Sequence, residues 1–92
     1  MSEHSSDALA DAVKEIQTYA DFVNFLQLFL RNYREHPEDW EENDTLERFL
    51  DAMGRFVSSL HGYYANFKID VDLNNPGWRV FADILLASRV YE

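Results

Sequence analysis

Apolar residues recur at helical spacing through most of this chain, and polar residues fill the opposite side of each segment. Short connections join these segments, which favours antiparallel neighbours in a small bundle. We therefore expect an all-α fold in which residues 1–92 form one helical domain, with residues 1–6 fraying. The expected elements are a short N-terminal helix through Leu9 and Ile16, and three long helices over residues 19–35, 46–67 and 76–91.

The second of these helices has the most clearly separated faces. Thr18 and Asp21 form a pattern related to the capping box, and Pro37 ends the helix because proline disfavours the helical conformation at the residue before it. Leu28 is the one apolar residue on the polar side, which also carries Asn32. The predicted apolar side consists of Tyr19, Phe22, Val23, Phe25, Leu26, Phe29, Leu30 and Tyr33.

The third helix sustains one apolar stripe from Leu46 to Phe67, with Asp44 or Thr45 as its N-cap. Gly62 lies on its polar side and is an alternative position for its end. In residues 69–73 apolar and polar positions alternate, as in a strand. No second strand is available to pair with them, so we expect an extended linker that crosses the bundle.

The last helix carries apolar residues on more than one face, from Trp78 to Val90. Asn75 is its expected N-cap and Pro76 its first helical residue. Because packing on one side requires only a narrow stripe, we expect this helix to be the buried centre of the bundle. Leu86 and Val90 on its far side are either covered by the N-terminal helix or form a face for a homodimer.

Composition indicates a folded protein with a single core, since 47% of the 92 residues are apolar and 15% are aromatic. The chain has no cysteine, which excludes disulfides and thiolate metal sites. It shows no secretory signal, and no apolar run approaches the roughly 20 residues that span a bilayer. We therefore expect a cytoplasmic protein.

The net charge of −9 is concentrated in one segment. Between Glu35 and Asp51 there are eight acidic residues and one basic residue, Arg48. Nucleic acids and anionic membranes are not expected as partners, because binding to them requires a basic surface.

The centre of this acidic segment is the candidate functional site, formed by Glu38, Asp39, Trp40, Glu41 and Glu42. One interpretation is a solvated turn that Trp40 anchors against the bundle. The other is a recognition surface, in which an aromatic anchor flanked by carboxylates binds a basic protein partner.

Asp70, Asp72 and Asn74 have the spacing that begins a calcium-binding loop. The pattern then fails, because Asn75 stands where the loop requires glycine and Phe81 stands where it requires a bidentate glutamate. Solvated carboxylates in a linker are the better interpretation.

The remaining candidate chemistry is sparse. His4, His36 and His61 form no pair at metal-ligand spacing, so no metal site is expected. Ser58 and His61 are close enough on a helix to touch, but no oriented base or oxyanion donor accompanies them. We expect no catalytic residue, no metal and no cofactor.

Three stretches of the chain resemble a family of small acidic bacterial proteins of unknown function. They are PEDWEENDTLERFLDAM at residues 37–53, GYY at 62–64 and WRVFADILLASRVYE at 78–92. The resemblance covers about Phe22 to Glu92. It implies membership of that family and no particular activity.

The favoured hypothesis is a non-catalytic protein-binding module that uses the acidic segment around Trp40. Its most concrete form is an immunity or antitoxin-like protein that masks a basic effector. The alternative is a structural or assembly subunit that self-associates through its C-terminal helix. An enzyme would need a pocket with several converging polar groups, and the sequence indicates none.

Overall fold

The structure, a computed structural model, describes the backbone of residues 5–91 and the side chains of residues 8–91. Within that range the chain contains helices and no strand, which confirms the expected all-α fold. Of the residues expected to fray, 1–4 lie outside the described part and 5–6 belong to the first helix. The helices are α1 (Ser5–Lys14), α2 (Tyr19–Glu35), a 3₁₀ helix (Pro37–Trp40), α3 (Leu46–Ser58), α4 (Leu60–Asn66) and α5 (Trp78–Ser88).

The predicted bounds of α2 are confirmed, and its N-terminus carries a complete capping box. Thr18 Oγ1 accepts a hydrogen bond from the backbone N–H of Asp21 at 3.1 Å, and the Asp21 carboxylate accepts one from the N–H of Thr18 at 3.2 Å. Two N–H groups that the helix leaves unpaired are thereby satisfied.

The face that α2 turns to the core differs from the prediction. Phe25, Phe29 and Asn32 are buried and Leu28 is half-buried, so the assignment of Leu28 and Asn32 to the solvent side was wrong. The apolar arc of α2 is wider than the area that the rest of the fold covers, and part of it therefore stays outside. The exposed members of that arc are Tyr19, Val23, Leu26, Leu30 and Tyr33.

The third predicted helix is divided into α3 and α4, contrary to the expected continuous helix over residues 46–67. The Ser58 hydroxyl donates to the Gly54 carbonyl at 2.9 Å, and the Ser59 N–H donates to the Phe56 carbonyl at 2.9 Å. Such serine back-bonds bend helices, and the shortened turn ends α3. Gly62 lies inside α4 and does not end a helix.

Helix α5 is central in that it packs against α1, α2 and α3, but the expectation that it is buried was wrong in part, because Trp78 and Phe81 are 38% and 42% exposed. It begins later than expected: Gly77 is its N-cap, and the proposed N-cap Asn75 instead donates its N–H to the Asp72 carbonyl at 3.0 Å. The residues that would otherwise start the helix belong to the turn at Asp72 instead.

Two apolar clusters fill the core on different sides of α5. The first contains the buried face of α1, together with Phe25, Phe29 and Trp40, and Leu86 packs against it. Of the two alternatives for Leu86 and Val90, burial in the bundle applies to most of Leu86, whereas Val90 stays exposed. The buried residues of the second cluster are Phe56, Leu60, Tyr64 and Val80.

Candidate functional site

The 3₁₀ helix turns Trp40 into the core. The indole is only 7% exposed and packs against the rings of Phe29, Tyr33 and Phe49, with ring centroids 4.8 to 5.3 Å apart. This burial agrees with the first interpretation of the segment, a turn that Trp40 anchors against the bundle, and corrects the second, in which the indole is exposed to a partner. Burial of an indole of this size requires a partner for its N–H.

That partner is Asn32, whose side chain connects three parts of the molecule. Its Oδ1 accepts a hydrogen bond from Trp40 Nε1 at 2.7 Å and one from a guanidinium nitrogen of Arg89 at 3.1 Å. Its Nδ2 donates to the Asp39 carboxylate at 3.0 Å. Burial lowers the pKa of Arg89, and the negative charges of Asp39 and Glu41 oppose that shift.

Asn43 fixes the other end of the segment. Its Nδ2 donates to the carbonyl oxygen of Ser88, the last residue of α5, at 3.2 Å, and to that of Tyr91 at 3.0 Å. The last carbonyl groups of a helix have no partner within the helix, and Asn43 supplies one. Between the two asparagines, Glu41 adopts φ 49°, in the left-handed region that non-glycine residues rarely occupy. The two anchors hold the backbone in this conformation.

The five predicted site residues thus have different roles. Trp40 is buried and Asp39 is half-buried in the asparagine network, whereas Glu38, Glu41 and Glu42 are exposed. Of the five, only these three glutamates have exposed side chains, and the Glu38 carboxylate lies 3.3 Å from His36 Nδ1.

An apolar groove opens beside Trp40, between the C-terminal part of α2 and the N-terminal part of α3. It has a volume of about 390 Å³, and Leu46 at its edge is 74% exposed. Tyr33 donates its hydroxyl proton to the Asp44 carbonyl at 3.0 Å and so connects its two sides. The groove is lined by Phe29, Leu30, Tyr33, Trp40, Asn43, Asp44, Thr45, Leu46 and Phe49.

Two rows of apolar side chains lead away from this groove, one along each helix. The α2 row is the exposed arc named above, and its members are separated by three or four residues. On α3, Leu46, Leu50 and Val57 are exposed at positions that share one helix side. The sequence indicates the exposed row of α2, because the apolar arc of this helix is wider than packing on one side requires.

The surroundings of the groove are acidic. Asp44 lines it, and Glu47 in the first turn of α3 is exposed beside Leu46. Arg48 lies 3.8 Å from the Asp44 carboxylate and also donates to the Glu42 carbonyl at 3.4 Å. A single arginine does not neutralise this group of carboxylates.

A second, more polar pocket of about 280 Å³ lies between the linker and the start of α5. Tyr64 donates its hydroxyl proton to the Asp83 carboxylate at 2.5 Å, and Arg79 Nε lies 3.9 Å from the same carboxylate. Burial raises the pKa of Asp83 and also that of Tyr64. No pattern in the sequence indicated this convergence, which connects α4 to α5.

Other candidate chemistry stays dispersed. His4 lies outside the described residues, His61 is exposed, and the hydroxyl of Ser58 is engaged by a helix carbonyl. Among residues 8–91, no three histidine or carboxylate side chains are grouped so that they would hold a metal ion. None of the helices within the described range is long and apolar enough to cross a membrane.

Comparison with known proteins identifies the family and no activity. Searches of curated proteins and of solved structures found no match. Residues 10–92 match the family described as "Family of unknown function (DUF7660)", which agrees with the resemblance seen in the sequence. Because the match covers most of the chain, the protein belongs to this family of unknown function.

Proposed function

We propose that this protein is a non-catalytic binding module, and that the groove beside Trp40 and the exposed carboxylates around it bind another protein. The observation that carries the proposal is an open apolar groove that has Asp44 in its lining and the exposed Glu47 at its α3 edge. Isolated apolar residues on a surface need no explanation, but a contiguous apolar patch with a polar rim is typical of interaction sites.

Exposed leucines in the groove and next to it provide apolar surface that a partner can bury; Leu30 and Leu46 line the groove, and Leu50 follows on α3. Leu30, Leu46 and Leu50 are about half exposed or more. Removing apolar surface from water contributes about 25 cal/mol per Å², so burying such side chains favours association. The carboxylates around them add selectivity and faster encounter with a basic protein.

The support beneath the groove is rigid, which reduces the entropic cost of binding. Asn32 and Asn43 fix the acidic segment to α2 and α5 through five hydrogen bonds. A surface held in one conformation before the partner arrives loses less conformational freedom on association.

The concrete form of the proposal is an immunity or antitoxin-like role in the cytoplasm, in which this acidic chain masks a basic effector. The supporting observations are the small size and the net charge of −9. A basic partner of this kind is attracted from a distance, and the attraction weakens as salt is added.

Affinity capture from the native cell tests the proposal. Two variants change the surface without replacing a side chain that hydrogen-bonds to Asn32 or Asn43: Leu46→Gln, and the triple variant Glu38→Gln, Glu41→Gln, Glu42→Gln. Asp39 is left intact because it accepts a hydrogen bond from Asn32. Ile69→Gln is the matched control, since Ile69 is an exposed apolar residue in the linker.

We expect the wild type and the Ile69 variant to capture the same protein, and both groove variants to lose it. Equal capture by all four proteins would contradict the proposed binding surface.

Self-association through the C-terminal helix is the second candidate function, and the exposed Trp78 and Phe81 of α5, with Val90 after it, favour it. Sedimentation over a range of concentrations tests it directly. A monomer at every concentration would exclude a homodimer, including one that uses the partly buried Leu86.

A further inference from the structure

The groove restricts the secondary structure of what can bind in it. A segment that binds as a β-strand needs the exposed edge of a sheet, and residues 5–91 form no sheet. A polyproline segment binds to aromatic grooves that offer free donors. Here Trp40 Nε1 donates to Asn32 and the Tyr33 hydroxyl donates to the Asp44 carbonyl, so both aromatic donors are already used.

An α-helix is the remaining secondary structure that fits the groove. The exposed row of α2 contains Val23, Leu26 and Leu30, and that of α3 contains Leu46 and Leu50. Spacings of three and four residues are those with which one helix packs against another. Leu30 and Leu46 line the groove itself, and the other members lie further along each helix, so an occupant that extends along either row must present apolar residues over several turns.

Charge decides between a second copy of this chain and a different protein. Each copy carries a net charge of −7 between Glu35 and Asp51, from eight acidic residues and one basic residue, and this segment borders the groove. Two copies joined at this face would bring their acidic segments together, which is unfavourable. A helix with lysine or arginine beside its apolar side meets Asp44 and Glu47 instead.

Resting on the function proposed above, we propose that the groove between α2 and α3 receives an amphipathic α-helix of another protein. The apolar side of that helix contacts the rows of α2 and α3. Its basic flank faces the start of α3, where Asp44 and Glu47 outnumber Arg48, whereas α2 contributes Arg31 and Arg34. The protein is thus a receptor for a basic amphipathic helix.

Calorimetric titration of the intact protein with synthetic peptides tests this inference. The first peptide has leucine and lysine in a helical pattern, and the second has the same composition with leucine and lysine alternating, which favours a strand. The third has the helical pattern with glutamate in place of lysine. The protein variants are Leu30→Gln with Leu46→Gln, the independent variant Leu50→Gln, and Ile69→Gln as control.

We expect one helical leucine–lysine peptide to bind per protein, with an affinity that falls as salt is added. The affinity should fall about tenfold or more in the Leu30/Leu46 variant, fall in the Leu50 variant, and stay unchanged in the Ile69 variant. The glutamate peptide and the alternating peptide should each bind at least about tenfold more weakly. Thermal unfolding checks that each variant is folded.

Three results would overturn the inference. Equal binding of the alternating peptide would exclude a helix-specific groove, but it would leave a basic partner for the acidic surface intact. Equal binding of the glutamate peptide would show that charge does not select the occupant. Sedimentation showing a dimer that the Leu30/Leu46 variant dissociates would make a second copy the occupant. The lysate experiment above tests the proposed function separately from all three.

Discussion

Asn32 is a polar residue at one of the least exposed positions of the fold, with 2% of its surface accessible. A buried amide is tolerated only when its donors and acceptors have partners. Here Trp40 and Asp39 of the 3₁₀ helix and Arg89 after α5 supply them. One side chain therefore fixes the acidic segment to both α2 and the end of α5.

Replacing Asn32 with alanine should destabilise the protein by about 2–4 kcal/mol, because the Trp40 N–H and the Arg89 guanidinium both lose a buried acceptor. Urea denaturation measures this free energy of unfolding. Asn24→Ala on the same helix is the control, since Asn24 is exposed and its replacement should change stability by less than about 0.5 kcal/mol. Similar effects of the two substitutions would show that the Asn32 hydrogen bonds contribute little.

Asp83 makes the stability of the fold depend on pH. Burial raises its pKa above the ordinary value of 3.8, so folding favours the protonated carboxyl group. Its contribution to stability is full below that ordinary value and is lost as the pH rises through the raised pKa. The substitution Asp83→Asn should abolish this loss, because the amide keeps an acceptor for the Tyr64 hydroxyl but does not ionise.

Urea denaturation of the wild type and of the Asp83→Asn variant at a series of pH values measures the effect. The stability of the wild type relative to the variant should decrease from the acid end towards neutral pH. Asp11→Asn, which removes an exposed carboxylate from α1, controls for the change in net charge. A relative stability that increases with pH would mean that Asp83 ionises more easily in the folded protein than in the unfolded one.

At the scale of single elements, the features of α2 that depend on local signals were predicted correctly from the sequence. Thr18, Asp21 and Pro37 act on neighbouring backbone groups, and both ends of α2 were predicted correctly. The positions of Leu28 and Asn32 were not, because the buried side of α2 depends on where α1 and α5 pack. Periodicity alone does not distinguish the covered part of a wide apolar arc from its exposed part.

The division between α3 and α4 shows a second limit of prediction from the sequence. The apolar stripe continues in phase across it, with Phe56, Leu60 and Tyr64 all buried, so periodicity indicates one helix. Ser58 and Ser59 carry the signal for the break, but serine also occurs within uninterrupted helices. Its effect here depends on the hydrogen bonds that the hydroxyls form.

The capping box of α2 has a measurable effect. Thr18→Ala should destabilise the protein by about 1 kcal/mol, because the Asp21 N–H loses its acceptor. Thr18→Ser retains a hydroxyl oxygen and should have a much smaller effect. Thermal unfolding of the three proteins provides the comparison, and equal losses for alanine and serine would exclude the cap as the cause.

On the scale of the whole molecule, the sequence located the acidic segment but not the groove. The charges of residues 35–51 are visible without a fold. The groove requires the C-terminal part of α2 and the N-terminal part of α3 to lie on either side of Trp40, which depends on how the helices assemble. The burial of Trp40 likewise depends on Asn32, which lies eight residues earlier on another element.

The two tryptophans of the chain report on opposite locations. Trp40 lines the groove, whereas Trp78 packs with Tyr19, Phe22 and Phe81 at the other end of α2. Their indole N–H groups give separate signals in a nitrogen–proton correlation spectrum. The spectrum therefore distinguishes binding in the groove from adhesion to exposed aromatic residues elsewhere.

The most direct test of the groove as a binding surface is to record this spectrum while the helical leucine–lysine peptide is added. We predict that the Trp40 indole signal shifts progressively and saturates at one peptide per protein, while the Trp78 signal moves much less. A shift of Trp78 with no change at Trp40 would contradict the claim that the peptide binds between α2 and α3.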